Sequence, residues 1–469
     1  MPSYAPRDEL HPCRNKEAAM EKSVRKGYMH EPPAESCLSN GFSVREILLL
    51  SMMMISAALF LLHWLPFSLS ASAPTNPTNE SWIPKTQAAI DTLQKWYNPD
   101  TGLWETTNWW NAANILTMLG NFALLNPAFK PEFEKIAQTT HTKAPHFKDQ
   151  ILKVHTPTSM DTYTYPNIPA GLRAPPLAKS TDGFLNWYYD DEGWWALAWL
   201  KAYDVTNQTV YLKEAISIFD DMIKGYNATC GGIWWNKGHD ANVAISNELF
   251  LAVAAQLANR VKVGDQLFYF DWVLRHWSWF RWAGFIDQNY NINDGLDLAT
   301  CKNNNGTIWS YNQGVILGAL TEAYGHGEDL HPSERHQFKF WTDLISHSAL
   351  KKLRDANGVI HDACEPDCGN DGPQFKGILM RNLQVVVGFF RRDYWWVFAD
   401  SRFAIAENAA SIWATDRNQD DRLGLVWSGP YMEATAATQS SALDALVAAV
   451  DLELHPQQSH AVTSDRETA

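Results

Sequence analysis

The chain has 469 residues, 38 Lys and Arg against 52 Asp and Glu, and a formal charge of −14. Apolar residues make up 46% and charged residues 19%, which excludes a disordered or fibrous chain. The acidic balance excludes nucleic acid or an anionic membrane surface as the main partner, since both would repel it.

Taken from the N-terminus, charge cancels within residues 1–46 and is absent from 47–73, so the whole surplus lies beyond residue 73. Residues 47–69, ILLLSMMMISAALFLLHWLPFSL, are long and apolar enough to cross a hydrocarbon core of about 30 Å. They predict a transmembrane signal anchor behind a cytoplasmic tail, 1–46. The alternative is a signal peptide cut near Ala71-Ser72-Ala73, which would be unusually long and followed by Pro74. Lys22, Arg25, Lys26 and Arg45 precede the span and the next basic residue is Lys85, which leaves the tail inside. The chain then reads as a single-pass type II membrane protein with its bulk extracellular or luminal, or as a secreted one. Residues 70–81 (SASAPTNPTNES) read as a linker, 82–454 as one domain and 455–469 as a polar tail without a GPI signal.

A secretory route agrees with glycosylation acceptor tripeptides at Asn79, Asn207, Asn227 and Asn305. Cys230, Cys301, Cys364 and Cys368 lie beyond the anchor and allow three pairings. Cys364–Cys368, spanning a short polar loop, is favoured, which leaves Cys230–Cys301. No His pair accompanies the CxxxC, and no metal or cofactor is expected.

Helical periodicity recurs in Trp82–Tyr97, Asn111–Leu125, Gly193–Tyr203, Thr209–Ile223, Ala244–Ala258, Phe268–Phe280, Gly314–Tyr324, His336–Leu353, Phe375–Phe390, Ala404–Ala414 and Ser440–Val450. About a dozen helices in one domain predict pairs stacked around a ring, a toroid with a cleft at one end; no sharp repeat announces a solenoid.

The sharpest chemical feature is Asn186-Trp-Tyr-Tyr-Asp190-Asp191-Glu192-Gly-Trp-Trp195, three acids among aromatics at a helix entry. Acids there cap N–H groups and suit the helix dipole. One cap needs only one acid, however, and aromatic walls raise a neighbouring carboxyl pKa and suit a sugar ring. Two carboxyls of unequal proton affinity are what glycoside cleavage requires. Neighbours on a regular helix point about 100° apart, so the pair is expected in an entry loop, with both acids facing an open cleft. Other polar and aromatic clusters at helix entries are placed to line it: Trp109, Trp110 and Asn111; Trp235; Asn247; Tyr311, Asn312 and Gln313; and Arg381. No phosphate-cradle or zinc-protease motif occurs.

Trp109-Trp110-Asn111, Tyr189-Asp190-Asp191-Glu192-Gly-Trp-Trp195, Ala244-Ile-Ser246-Asn247-Glu248, Tyr311-Asn312-Gln313-Gly314, Phe375-Lys376-Gly377 with Arg381, and Ala436-Ala437-Thr438-Gln439-Ser440 resemble glycoside hydrolase family 76, the α-1,6-mannanases and their fungal cell-wall members. The resemblance spans about residues 82–450. It implies an all-α (α/α)6 barrel behind the anchor helix, and endo-acting cleavage of α-1,6-mannan with retention through a covalent mannosyl intermediate. It makes Asp190 the nucleophile and Asp191 the acid/base, with Tyr189 and the cluster residues binding substrate. The alternatives are a transglycosidase joining mannoproteins or GPI glycan to wall glucan, a non-catalytic carbohydrate-binding wall protein, and an enzyme of the same fold acting on another polysaccharide.

Overall fold

The computed structural model describes residues 81–456 except 149, 159, 327–331, 392, 393 and 395–397. The expected cytoplasmic tail and signal anchor, and nearly all of the linker and polar tail, lie outside the described residues. Among those described, no helix is long and apolar enough to cross a membrane.

Twelve α-helices lie among the described residues: α1 Trp82–Leu93, α2 Trp109–Leu125, α3 Lys130–Lys143, α4 Tyr189–Thr206, α5 Thr209–Lys224, α6 Ala244–Arg260, α7 Gln266–Ala283, α8 Ser310–His326, α9 Pro332–Leu353, α10 Phe375–Phe390, α11 Ala399–Thr415 and α12 Ala436–Leu454. The even-numbered helices form a closed ring: each packs on the next, and α12 returns to α2. The odd-numbered helices pack outside them, α1 on α12, α5 on α4 and α6, α7 on α6, α9 on α8. This is the arrangement of a helical toroid.

Burial explains which helix goes where. Residues 109–120 of α2, 244–255 of α6, 310–321 of α8 and 436–450 of α12 are buried without interruption, as befits helices covered on every side. On the outer α5, apolar burial falls on Tyr211, Ala215, Ile218, Phe219 and Met222, a single stripe. Helix α3 has no counterpart among the periodic segments of the sequence. Only Phe133, Ile136, Ala137 and Thr140 of it are buried, too few apolar side chains to register. Helices α4, α8 and α12 each begin four residues before their apolar periodicity, because their first turns hold polar residues that are nevertheless buried.

Connections from inner to outer helices are short, as at 126–129, 207–208 and 261–265, so those neighbours run antiparallel. Connections from outer to inner helices are long: 94–108, 144–188, 225–243, 284–309, 354–374 and 416–435. The alternation gathers the long loops at one end, around the N-termini of the inner ring. Strands β1 Tyr97–Asn98 and β2 Leu103–Trp104 form one small hairpin there, and β3 Ile151–His155 and β4 Met160–Thr164 another. Strands β5 Asn242–Val243, β6 Gly295–Asp297 and β7 Lys302–Asn303 make a three-stranded sheet. Disulfides join Cys230 to Cys301, linking two of these loops, and Cys364 to Cys368 within a third. Asn207, Asn227 and Asn305 are exposed, and Asn79 lies outside the described residues.

Candidate active site

Asp190 and Asp191 stand in the first turn of α4 rather than in a loop before it. Helix geometry still lets them meet. Every Cα–Cβ bond of an α-helix tilts toward the N-terminus, so carboxylates in the first turn rise above the helix end instead of splaying around its side. Both reach one atom: Lys153 Nζ lies 3.3 Å from Asp190 Oδ2 and 2.5 Å from Asp191 Oδ1. The two oxygens therefore stand no more than about 6 Å apart, short of the roughly 6.5–9.5 Å that an inverting pair needs.

Their surroundings differ. Asp191 Oδ2 accepts a 2.7 Å hydrogen bond from Asn186 Nδ2, whereas Asp190 Oδ1 is buried with no hydrogen-bond partner. Burial pushes the Asp191 carboxyl up to about 6, against the pull of Lys153. The third acid, Glu192, faces elsewhere. It accepts from the Asn186 amide at 2.9 Å and from Lys237 Nζ at 2.8 Å, and burial pushes it up to about 8.

The expected open cleft is not what the structure has. Asp190 is 3% exposed and Asp191 fully buried. The cause is the β3–β4 hairpin, which carries Lys153 over the helix ends. Lys153 is itself buried among the rings of Tyr188 and Trp110, 5.0 and 5.7 Å from their centroids. The hairpin meets two further acids. His155 Nε2 lies 2.5 Å from Asp294 Oδ2, and Thr162 Oγ1 donates to Asp371 Oδ2. Asp371 also accepts from Trp110 Nε1 at 2.6 Å, and Asn312 Nδ2 donates to Asp294 Oδ1 at 3.4 Å. Glu248 is buried with both carboxyl oxygens unpartnered, its pKa raised by desolvation and then by Asp294.

Of the expected substrate-binding residues, Trp110, Trp235, Tyr311 and Asn312 lie around this acidic centre. Trp235 packs on Tyr188 and His155, and Tyr311 stacks on Phe375 at 4.0 Å and feels Asp294, Asp190 and Glu248. The others have structural partners. Trp109 packs against Phe184 and Trp195 and donates to Ala144 O. Asn111 closes a capping box with Asn108. Tyr189 lies under Lys237, on the Glu192 side. Asn247 and Gln313 brace loop backbone: Asn247 accepts from Ile233 N and donates to Ile233 O, and Gln313 does the same to Ile292. Asn408 accepts likewise from Ile360 N, and Gln439 from Leu423 N. Arg381 binds Asn114 and faces Asp444 in the ring interior. The helix-entry amides are thus largely consumed in holding the loops. Sequence reading missed Lys153, His155, Asp294 and Asp371. The available signal for the last two was a repeated tripeptide, Asn293-Asp294-Gly295 and Asn370-Asp371-Gly372, in two loops of the same end.

The model of glycosyl hydrolase family 76 matches residues 177–463, well over half of the chain. The chain belongs to glycosyl hydrolase family 76. Within the family it is 28% identical over 214 residues to the mannan endo-1,6-α-mannosidase DCW1 of Candida albicans, a match covering 41% of this chain and 46% of that one. It is 24% identical over 230 residues to the mannan endo-1,6-α-mannosidase DFG5 of Saccharomyces cerevisiae, covering 44% and 47%. The matches thus span about half the length of these curated relatives. Among solved structures, an α-1,6-mannanase of Salegentibacter in complex with α-1,6-mannotriose superposes with a TM-score of 0.63 at 16% identity, covering 79% of this chain and 99% of that one. That protein is described as an inactive variant with two adjacent aspartates changed to asparagine. Dfg5 of Chaetomium thermophilum, in complex with glucosamine, superposes at 0.61 with 16% identity, covering 81% and 92%.

Proposed function

We propose that this family-76 chain is a retaining, endo-acting glycoside hydrolase that cleaves α-1,6-mannosidic linkages of mannan. The observation that carries the reading is the convergence of Asp190 and Asp191 on one point at the mouth of the helical ring. Their separation suits direct attack by one carboxylate on the anomeric carbon and leaves too little room for an intervening water. The relatives' recorded activity on α-1,6-mannan supports the linkage.

Asp190 is the nucleophile. Its unpartnered Oδ1 is free to bond to the anomeric carbon while the glycosidic bond breaks, giving a mannosyl-Asp190 ester. Asp191, whose burial favours the protonated form, gives its proton to the departing oxygen. It then takes a proton from water as that water attacks the ester, restoring both carboxyls. Trp110, Trp235 and Tyr311 supply the walls, and Asp294, Asp371 and Asn312 the hydrogen-bonding groups. The folded domain works on the secretory side of a membrane or outside the cell, a placement supported by its two disulfides.

Asp190→Asn is expected to abolish product release from α-1,6-mannan. Asp191→Asn is expected to be slow on mannan and partly restored on an aryl mannoside whose leaving group needs no proton. Full activity in both variants would contradict the assignment.

A further inference from the structure

We propose that the β3–β4 hairpin is a displaceable plug in the catalytic mouth, and that Lys153 on it occupies the place of the reacting sugar until a mannan chain moves the hairpin aside. The proposal rests on Asp190 and Asp191 being the catalytic pair.

Four observations carry it. The first is position: Lys153 Nζ sits between the two carboxylates, where the anomeric carbon must lie to be attacked by one and have its leaving group protonated by the other. An ammonium there presents positive charge to the carboxylates much as an oxocarbenium-like transition state does.

The second is the face the hairpin turns inward. Lys153 pairs with Thr162 across the two strands, and both side chains reach acids of the mouth. His155, two residues along, reaches a fourth, Asp294. Burial in Ile151–His155 falls on Ile151 and Lys153 while Leu152 and Val154 stay half-buried. A strand that buries its lysine and leaves its leucine half-exposed is shaped to fit acids, not to fill a core.

The third is weak backbone attachment. Among the described residues the hairpin is a two-stranded sheet with no third strand, and such a hairpin is marginal on its own. Among the described residues its backbone bonds to the ring end are few: the Lys153 amide donates to Tyr188 Oη, Pro157 O accepts from the Thr307 amide, and Thr162 O accepts from Asn370 Nδ2 at 3.4 Å. It is held by side-chain ion pairs and hydrogen bonds, and an incoming polyol can take over those acceptors.

The fourth is the tether. The return segment holds Pro166, Pro169, Pro175 and Pro176, and leaves Tyr165, Leu172 and Leu177 about half exposed or more. It is packed loosely enough for the hairpin to swing without unmaking the core. The matched family region begins at residue 177, C-terminal to the hairpin.

The test combines hydrogen exchange with kinetics on the full-length chain. With a sulfur-linked α-1,6-mannotetraose, which the enzyme cannot cut, peptides covering 151–164 of the wild type should lose protection, while the first turns of α4 and α8 gain it. Binding that leaves 151–164 unchanged or more protected would overturn the plug and leave the catalytic reading standing, because the hairpin would then be a wall of the site. In parallel, Lys153→Met, which keeps the side-chain length and removes the charge, should lower KM for mannan about tenfold with kcat changed less than threefold. A folded Lys153→Met as inactive as Asp190→Asn would overturn the plug and make Lys153 part of the machinery. If the wild type neither binds nor cuts and Lys153→Met does, the plug is supported in its strongest form. Neither binding nor turnover in either protein would sink the catalytic reading and the plug with it.

Discussion

Two carboxylates one residue apart share an ammonium, yet each has its own second environment, and the proposed division of labour rests on that asymmetry. Asp191 is tied to Asn186 and Asp190 is left with a bare oxygen. A buried ion pair of this sort adds little net stability, because desolvation offsets attraction, but it fixes where the groups sit. The residue scale also separates binding residues from braces. Gln313 was expected to touch sugar; instead its amide satisfies both the N–H and the C=O of Ile292, and it is fully buried. Gln313→Ala should therefore cost roughly 2–4 kcal/mol, the price of two orphaned backbone groups, and leave KM for mannan unchanged in the molecules that fold. A raised KM at wild-type melting temperature would return Gln313 to the binding surface.

At the scale of elements, most of the ring was legible in the sequence and the hairpin was not. Inner helices announce themselves through long apolar runs, and outer ones such as α5 through a single stripe. Helix α3 escaped because its four buried positions include a threonine and an alanine. The β3–β4 hairpin escaped for a different reason: its inward face carries Lys153, His155 and Thr162, so no apolar alternation marks a buried side. The adjacent aspartates were legible because three acids among aromatics exceed what capping needs. Their partners were not, since Lys153, Asp294 and Asp371 come from loops whose convergence only the closed ring creates. The glycines of the Tyr311 and Phe375 motifs have an element-scale cause. A Cβ on Gly314 would stand 2.7 Å from Leu379 Cα, and one on Gly377 would stand 2.5 Å from Ser441 Cα. Helices α8, α10 and α12 approach closely at these points, backbone against backbone. Gly314→Ala and Gly377→Ala should each destabilise the chain by about 1–3 kcal/mol through overpacking, read as a lower urea midpoint; an unchanged midpoint would show the ring more yielding than its geometry.

On the scale of the whole molecule, the toroid buries many carboxyls, and this sets how stability depends on pH. Burial pushes Glu192 and Asp416 up to about 8 and Asp444 up to about 7. Such groups hold their protons more tightly folded than unfolded, where they titrate near 4. Their contribution is complete below that value and is lost as pH rises through the folded values. Buried His276, lowered to about 3, works oppositely, but its contribution is complete above about 6.5. From pH 6.5 to 8 the carboxyls govern, and the melting temperature should fall; above about 8 Lys148, whose ammonium burial lowers to about 8, begins to work against them. Asp416→Asn should flatten that fall by up to about 1.4 kcal/mol per pH unit; a wild-type melting temperature that rises across this range would contradict the burial.

In the proposed mechanism ring, loops and acids serve one chemical event, the bonding of mannose to a single carboxylate. The direct measurement is to treat the wild type with a fluorinated α-mannosyl fluoride that forms the ester quickly and releases it slowly, then to locate the added mass by peptide sequencing. The account predicts one mannosyl equivalent on Asp190 and none in Asp190→Asn. A label on another residue, or turnover of mannan with inversion at the anomeric carbon, would contradict it.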